Sequence, residues 1–143
     1  MTETYQIFQH SEQMNELAEA LALAQGQMSN PTFDSVNPHF KHKYASLAVV
    51  RDAVIPPLAA QGIATVQMPV TDIEHDKAGC TTMLMHKSGQ YLTHTLLLPI
   101  SKADVQGYCS AISYAQRYSL KAVAGVAGEE DDDGESAVMY QKE

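Results

Sequence analysis

Apolar residues recur at helical spacing in three segments of the chain. In residues 11–25, Ser11 is placed to cap the helix start and Gly26 to end it with a positive φ. In residues 46–61, Pro56-Pro57 should kink or split the helix. The third segment runs from Asp104, a suitable N-cap, to about residue 123. Its predicted inward residues are Ala111, Ile112, Ala115, Tyr118 and Ala122.

Alternation of apolar and polar residues predicts three strands between the second and third helices. Residues 63–70 alternate, and the buried face is expected to carry Ala64, Val66, Met68 and Val70. Residues 79–87 and 90–100 are joined by Ser88-Gly89, a link typical of a hairpin. The polar segment 70–78 should form a longer, exposed turn. The predicted fold is α+β: a three-stranded antiparallel β-meander packed with helices and preceded by two helices.

Residues 26–45 lack any sustained periodicity and contain two Asn-Pro steps, which favour turns. Long loops of this kind in a compact domain are usually functional or disordered. Phe33, Phe40 and Tyr44 argue against disorder, so we predict an ordered loop or lid.

The charge of the chain is concentrated at one end. The 143 residues carry a formal net charge of −8, of which −6 lies in residues 129–143 and −2 in residues 1–128. We therefore predict one domain over 1–128 and an acidic, flexible tail over 129–143. Residues 37–51 contain cationic and histidine side chains and no acid, so a basic patch exists despite the overall charge.

Several protein classes are disfavoured by the sequence. No apolar run approaches the roughly 20 residues of a membrane-spanning helix, and the first ten residues do not resemble a secretory signal. Cys80 and Cys109 are too few for a disulfide framework. A cytoplasmic protein with no membrane partner is the expectation.

Catalytic motifs are also missing from the sequence. It has no GxxxxGK[ST] phosphate loop, no GxGxxG and no GxSxG. The pairs His39/His42 and His86/His94 lack the paired spacing of a zinc site, and EEDDDG lacks the spacing of a calcium loop. We predict no catalytic residue, no metal and no cofactor. A metal-dependent hydrolase is retained as the less favoured alternative.

Two segments interleave cations with aromatic rings, a pattern that suits single-stranded nucleic acid. One is HFKHKY, residues 39–44. The other is a polar stripe on the solvated face of the last helix, at i, i+4, i+7 and i+11, formed by Ser110, Tyr114, Arg117 and Lys121. For the loop, the alternative is that its aromatic rings only anchor it to the core. For the helix, the alternative is an ordinary amphipathic helix with a solvated face. The candidate DNA-binding residues are His39, Phe40, Lys41, Lys43, Tyr44, Arg51, Tyr114, Arg117 and Lys121.

The same segments carry a family resemblance. VNPHFKHKYASL (36–47) and GYCSAISYAQRYSLKAVAGVAGEEDDDG (107–134) resemble the long motifs of the Erf family of phage single-strand annealing recombinases. The likeness covers residues 12–134, and the residues matched in the motifs are Lys41, Lys43, Tyr44, Tyr114, Arg117 and Tyr118. Gln116 departs from the pattern, since relatives often have a second basic residue there.

The resemblance implies ATP-independent binding of single-stranded DNA and annealing of complementary strands in the bacterial host cytoplasm. It also implies a homo-oligomeric ring or filament on a β-β-β-α core shared with the eukaryotic annealing recombinases. Host replication proteins or a phage nuclease are further possible partners. Alternatives are a passive single-stranded DNA-binding protein and a pure assembly protein. The acidic tail either competes with DNA, contacts host proteins, or is a solubilising end.

Overall fold

A computed structural model describes residues 8–129 of the chain, which form three helices and six strands. None of the helices in this range is long and apolar enough to cross a membrane. In chain order the elements are β1 (Phe8–His10), α1 (Asn15–Gly26), β2 (Ser35–Val36), β3 (Lys43–Tyr44), α2 (Leu47–Ala60), β4 (Ile63–Asp72), β5 (Lys77–His86), β6 (Tyr91–Pro99) and α3 (Val105–Ala124).

The main sheet has four antiparallel strands in the order β1-β6-β5-β4. The predicted α+β class is confirmed, but the sheet has four strands rather than the predicted three. Strands β4, β5 and β6 form the meander, and β1 adds an edge strand that pairs Phe8 with His94. A three-residue strand is too short for alternation to reveal it. The turn between β4 and β5 is shorter than predicted, because the strands stay paired as far as Asp72 and Lys77.

The orientation predicted for β4 is wrong. Ala64, Val66 and Met68 lie on the exposed face of the strand, whereas Ile63 is buried and Gln67 is half-buried. The inner side chain of Gln67 finds polar partners, donating to the Thr82 hydroxyl at 3.0 Å and to a carbonyl of α3 at 2.9 Å. Satisfied hydrogen bonds make the burial of this amide tolerable. The outer face of the sheet consequently keeps an apolar character.

Helix α1 is fixed at its start by a distant side chain. The predicted cap Ser11 lies before the helix and hydrogen-bonds the backbone of Tyr91. The buried Gln90 instead accepts from the backbone N–H groups of Glu16 and Leu17, both at 2.9 Å. Gly26 is the last helical residue and does not have the positive φ that was predicted.

Helix α2 passes through Pro56 and Pro57 as one continuous helix, so of the predicted kink or split, the split does not occur. Each proline removes one backbone donor. The residues Val50, Val54 and Leu58, all fully buried, hold the helix against the core on both sides of the prolines. Tertiary packing therefore overrides the local helix-breaking signal.

Helix α3 packs mainly on β5, and its predicted cap is confirmed, with the Asp104 carboxylate accepting from the Gly107 N–H at 2.8 Å. The predicted inward face is only partly right. Ala111 and Ala115 are buried as expected, but Ala122 is exposed, while Ile112 and Tyr118 are intermediate. The buried set also includes Ser119, Leu120 and Lys121, so the inner face of the helix is rotated relative to the prediction.

Candidate nucleic-acid interface

The predicted loop 26–45 contains a small hairpin formed by β2 and β3. Its tip is stabilised by Asn37, whose side-chain oxygen accepts from the backbone N–H groups of His39 and Phe40 at 2.9 and 3.1 Å. The Lys41 N–H also donates to the Asn37 carbonyl at 2.8 Å, and Lys41 adopts a φ of 56°. Phe40 and His42 stack with ring centroids 6.1 Å apart. The prediction of order in this loop is confirmed.

Asp34 ties the hairpin to the start of α2. Its carboxylate accepts from both the backbone N–H and the hydroxyl of Ser46, each at 2.7 Å. Ser46 is the N-cap of α2 and accepts in turn from the Val49 N–H. Asp34 is exposed, and the hydrogen bonds from the hydroxyl and backbone N–H of Ser46 lower the pKa of its carboxyl. The base of the hairpin is thereby fixed relative to the helical core.

The hairpin brings Tyr44 against one face of α3. The Arg117 guanidinium lies 4.3 Å from the centroid of the Tyr44 ring, within cation–π range. Tyr114 and Tyr118, one turn apart on α3, stack on each other at 4.3 Å, and Arg117 lies 5.4 and 5.0 Å from their centroids. The Lys121 ammonium nitrogen lies 3.9 Å from the Tyr118 ring. We call these five residues the aromatic–cation cluster.

Glu129 returns to the cluster from the segment after α3. It forms a β-bridge with Tyr44, and the Ala45 N–H donates to the Gly128 carbonyl at 2.7 Å. Its carboxylate pairs with Arg117, accepts from the Tyr118 hydroxyl, and lies 3.1 Å from the Lys121 nitrogen.

Burial and charge act in opposite directions on the ionisable groups of the cluster. Burial lowers the pKa of Lys121, and the carboxylate of Glu129 partly offsets this. Burial would raise the pKa of Glu129, but the Tyr118 hydrogen bond and the charges of Lys121 and Arg117 prevail and lower it. Burial and then the hydrogen bond with Glu129 raise the pKa of Tyr118 above its usual range. At neutral pH Glu129 is thus ionised and Tyr118 keeps its proton.

The predicted DNA-binding residues fall into three groups. Tyr44, Tyr114, Arg117 and Lys121 meet in the cluster. His39, Phe40, Lys41 and Lys43 lie on the hairpin, with both lysines exposed. Arg51 lies on an exposed turn of α2, and within residues 8–129 no ion pair or hydrogen bond joins it to the cluster.

The predicted wet stripe on α3 is exposed only at its first half. Tyr114 is 46% exposed, and Ser110 is also exposed. The side chains of Arg117 and Lys121 are only 14% and 8% exposed, since Tyr44 and Glu129 cover them. A shallow depression runs along the open part of the stripe, from Gln106 past Ser113 to Arg117.

Sequence reasoning did not anticipate two members of this site in their observed roles. Tyr118, predicted to face the core, is half-buried and contributes its hydroxyl to the site. Glu129 was assigned to the predicted tail, whose remaining residues 130–143 lie outside the described residues. The available signal was its position twelve residues after Arg117, beyond Gly125, whose φ of 82° ends α3 and turns the chain back.

Histidine and acidic residues elsewhere do not converge in the same way. Asp72 and His75 pair at 2.9 Å in the exposed turn between β4 and β5. Over residues 8–129, no group of three or more histidine, cysteine or acidic side chains is placed to hold a metal ion.

Comparison with known proteins gives one positive result. No match was found among curated proteins, and none among solved structures. The family model of the ERF superfamily matches residues 17–143, which includes both the hairpin and α3. This match spans nearly the whole sequence and contains the aromatic–cation cluster and the hairpin lysines. The chain therefore belongs to the ERF superfamily.

Proposed function

We propose that this protein binds single-stranded DNA and anneals complementary strands without ATP, in phage recombination within the bacterial host cytoplasm. The observation that carries the proposal is the meeting of its two family motifs in one cluster. Tyr44 from the hairpin contacts Arg117 of α3, so residues far apart in sequence form one surface with cations and rings. Membership of the ERF superfamily supports the same function.

The two halves of this surface have different proposed roles. Arg117 and Lys121 bind phosphates, with the guanidinium oriented by the Tyr44 ring. Lys41 and Lys43 add phosphate contacts from the hairpin, and Arg51 extends the basic surface onto α2. These contacts hold the backbone and leave base edges available for pairing.

Tyr114 is the proposed stacking residue of the cluster. Its ring is 46% exposed and rests on Tyr118, so a base can stack on its outer face without rearrangement of the core. Tyr44 is less suited to this role, because its ring already faces Arg117. His39 and Phe40 lie at the hairpin tip, where they can contact bases beyond the cluster.

We propose further that the annealing unit is a homo-oligomer. Five candidate cations per subunit give few phosphate contacts, and repetition of weak sites raises the overall affinity through effective concentration. The exposed apolar face of the sheet, with Val66, Met68 and Met85, offers a surface for assembly. Light scattering of the full chain tests this, and a monomer at working concentrations would contradict it.

The test of the function follows two complementary labelled oligonucleotides by fluorescence, with protein, without ATP and with chelator. Pairing well above the protein-free rate is expected. Tyr114→Ala should weaken DNA binding by about 1–3 kcal/mol per stacked base, whereas Tyr114→Phe keeps the ring and should retain it. Binding without faster pairing would reduce the function to passive coating of DNA, and no binding at low salt would refute the proposal.

A further inference from the structure

The contact between Glu129 and the cluster has the composition of an anion site. One carboxylate meets a guanidinium, an ammonium and a hydroxyl donor, contributed by Arg117, Lys121 and Tyr118. A phosphodiester oxygen takes the same donors in charge-assisted hydrogen bonds. The Glu129 side chain is only 18% exposed, and its carboxylate occupies donors that a phosphate would use.

Arg117 and Lys121 are both largely buried, and each therefore requires an anionic partner. Lys121 has 8% of its side chain exposed and Arg117 has 14%, and a buried cation without a partner is strongly destabilising. Departure of Glu129 therefore leaves a site that another anion of similar size would fill. The proposed DNA surface begins at this point, since Tyr114 lies one turn before Arg117 on α3.

The connection that holds Glu129 is short. The described contacts are the bridge to Tyr44 and the hydrogen bond between the Ala45 N–H and the Gly128 carbonyl. Beyond them, the Ala127 N–H donates to the exposed side chain of Asn30 at 2.9 Å. A pairing of two residues at the edge of a two-residue strand is a small element, so its release does not require α3 or the main sheet to open.

We propose that Arg117, Tyr118 and Lys121 form a phosphate-binding site that the Glu129 carboxylate closes, and that a DNA phosphate displaces this carboxylate on binding. The inference rests on the proposed DNA-binding function and adds its regulation. The chain competes with its own ligand, which lowers the affinity for DNA and favours exchange of strands.

Replacement of Glu129 with glutamine tests the competition, because Glu129→Gln keeps the shape and removes the charge. Affinity for a labelled single-stranded oligonucleotide at low salt should rise about tenfold or more. The gain should shrink as salt rises, because the phosphate contacts that Arg117 and Lys121 gain in this variant weaken with salt. Glu19→Gln on the exposed face of α1 is the matched control, with the same change in net charge and no expected gain.

A second measurement does not depend on DNA. Inorganic phosphate should raise the Tm of Glu129→Gln by mass action and leave the Tm of the natural sequence nearly unchanged. If Glu129→Gln fails to fold, Glu129→Asp retains the charge with a shorter reach and should show the same effects in weaker form.

The outcomes separate this inference from the proposed function. Equal DNA affinity of Glu129→Gln and the natural sequence would overturn the competition and leave DNA binding intact. Stabilisation of Glu129→Gln by phosphate without any DNA binding would support the anion site and refute the proposed function. A loss of DNA affinity in Glu129→Gln would show that Glu129 only supports the structure of the cluster.

Discussion

Replacement of Lys41 and Lys43 with alanine is expected to flatten the salt dependence of single-stranded DNA binding. Both side chains are exposed on the β2–β3 hairpin, whose tip is held by Asn37 and whose base is held by Asp34. Alanine leaves the backbone requirement at Lys41 unchanged, because both residues carry a Cβ at the φ of 56°. The hairpin should therefore keep its structure while losing two charges.

The size of the effect follows from counterion release. Each cation bound to a phosphate contributes about −0.7 to the slope of log K against log salt for a single strand. Two lysines account for a slope change of about 1.4 per bound subunit. Between 50 and 200 mM salt, the natural sequence should lose about sevenfold more affinity than the double variant.

Fluorescence anisotropy of a labelled oligonucleotide over this salt range measures both slopes. Lys41→Ala alone should change the slope by about 0.7, and Lys77→Ala, which also removes one charge from an exposed site, is its matched control. Lys77 follows Asp76, whose carbonyl accepts from the Ile100 N–H, shortly before α3 begins. Lys121 lies about 24 Å from the start of α3, measured along the helix axis. A slope unchanged in the double variant would remove the hairpin from the DNA surface. A change in Lys77→Ala equal to that in Lys41→Ala would indicate a general charge effect.

The remaining predictions concern stability, measured by urea unfolding followed by circular dichroism. Gly107→Ala should destabilise by about 1–3 kcal/mol, because its Cβ would lie 1.8 Å from a backbone oxygen, whereas Gly26→Ala meets open space and should stabilise by about 0.4–1 kcal/mol. Thr65→Val should be neutral or stabilising, because the Thr65 hydroxyl is buried and has no hydrogen-bond partner among residues 8–129. Thr82→Val should cost about 1–3 kcal/mol by removing a bonded hydroxyl. Gln90→Leu should cost about 1–3 kcal/mol by uncapping α1, and Gln90→Glu should recover part of this because an acceptor remains.

The elements with strong periodicity were predicted well from the sequence. The three long strands and three helices lie within a few residues of their predicted places. Each buries one face, and the burial of one face gives the sequence a periodic spacing of apolar residues. Which face is buried was less predictable. On β4 the apolar Val66 and Met68 point outward while Gln67 points toward α3, because Thr82 and a helix carbonyl supply its partners. The sequence of one strand does not show which hydrogen-bond partners the other elements will supply.

Local signals also failed where distant contacts replaced them. Ser11 was the evident cap for α1, yet the amide of Gln90, far along the chain, performs that role. The prolines of α2 were expected to kink or split the helix, but it is not split, because Val54 and Leu58 are buried on the two sides of the prolines. Both cases show tertiary contacts compensating for an unfavourable local sequence.

The residues of the candidate site could be predicted from the sequence, but their contact with Glu129 could not. Tyr44, Arg117 and Lys121 were selected from spacing and residue type, and the structure brings them together. The contact of Glu129 with Arg117 and Lys121 depends on the chain reversal at Gly125 and on backbone pairing with Tyr44. Neither feature produces a periodic pattern in the sequence. An acidic run after a basic helix gives no indication of which carboxylate, if any, folds back.

The position of Glu129 changes how the charge of this surface should be counted. With Glu129 seated, Arg117 and Lys121 share its single negative charge and are nearly covered, so the exposed candidate cations are Lys41, Lys43 and Arg51. On the proposed arrangement, displacement of Glu129 by DNA raises the number from three to five. A first encounter through the hairpin is then weak and salt-sensitive, and the full contact forms only when a phosphate reaches α3. Such a two-stage contact suits the proposed annealing function, in which a bound strand must be held and still be free to pair with its complement.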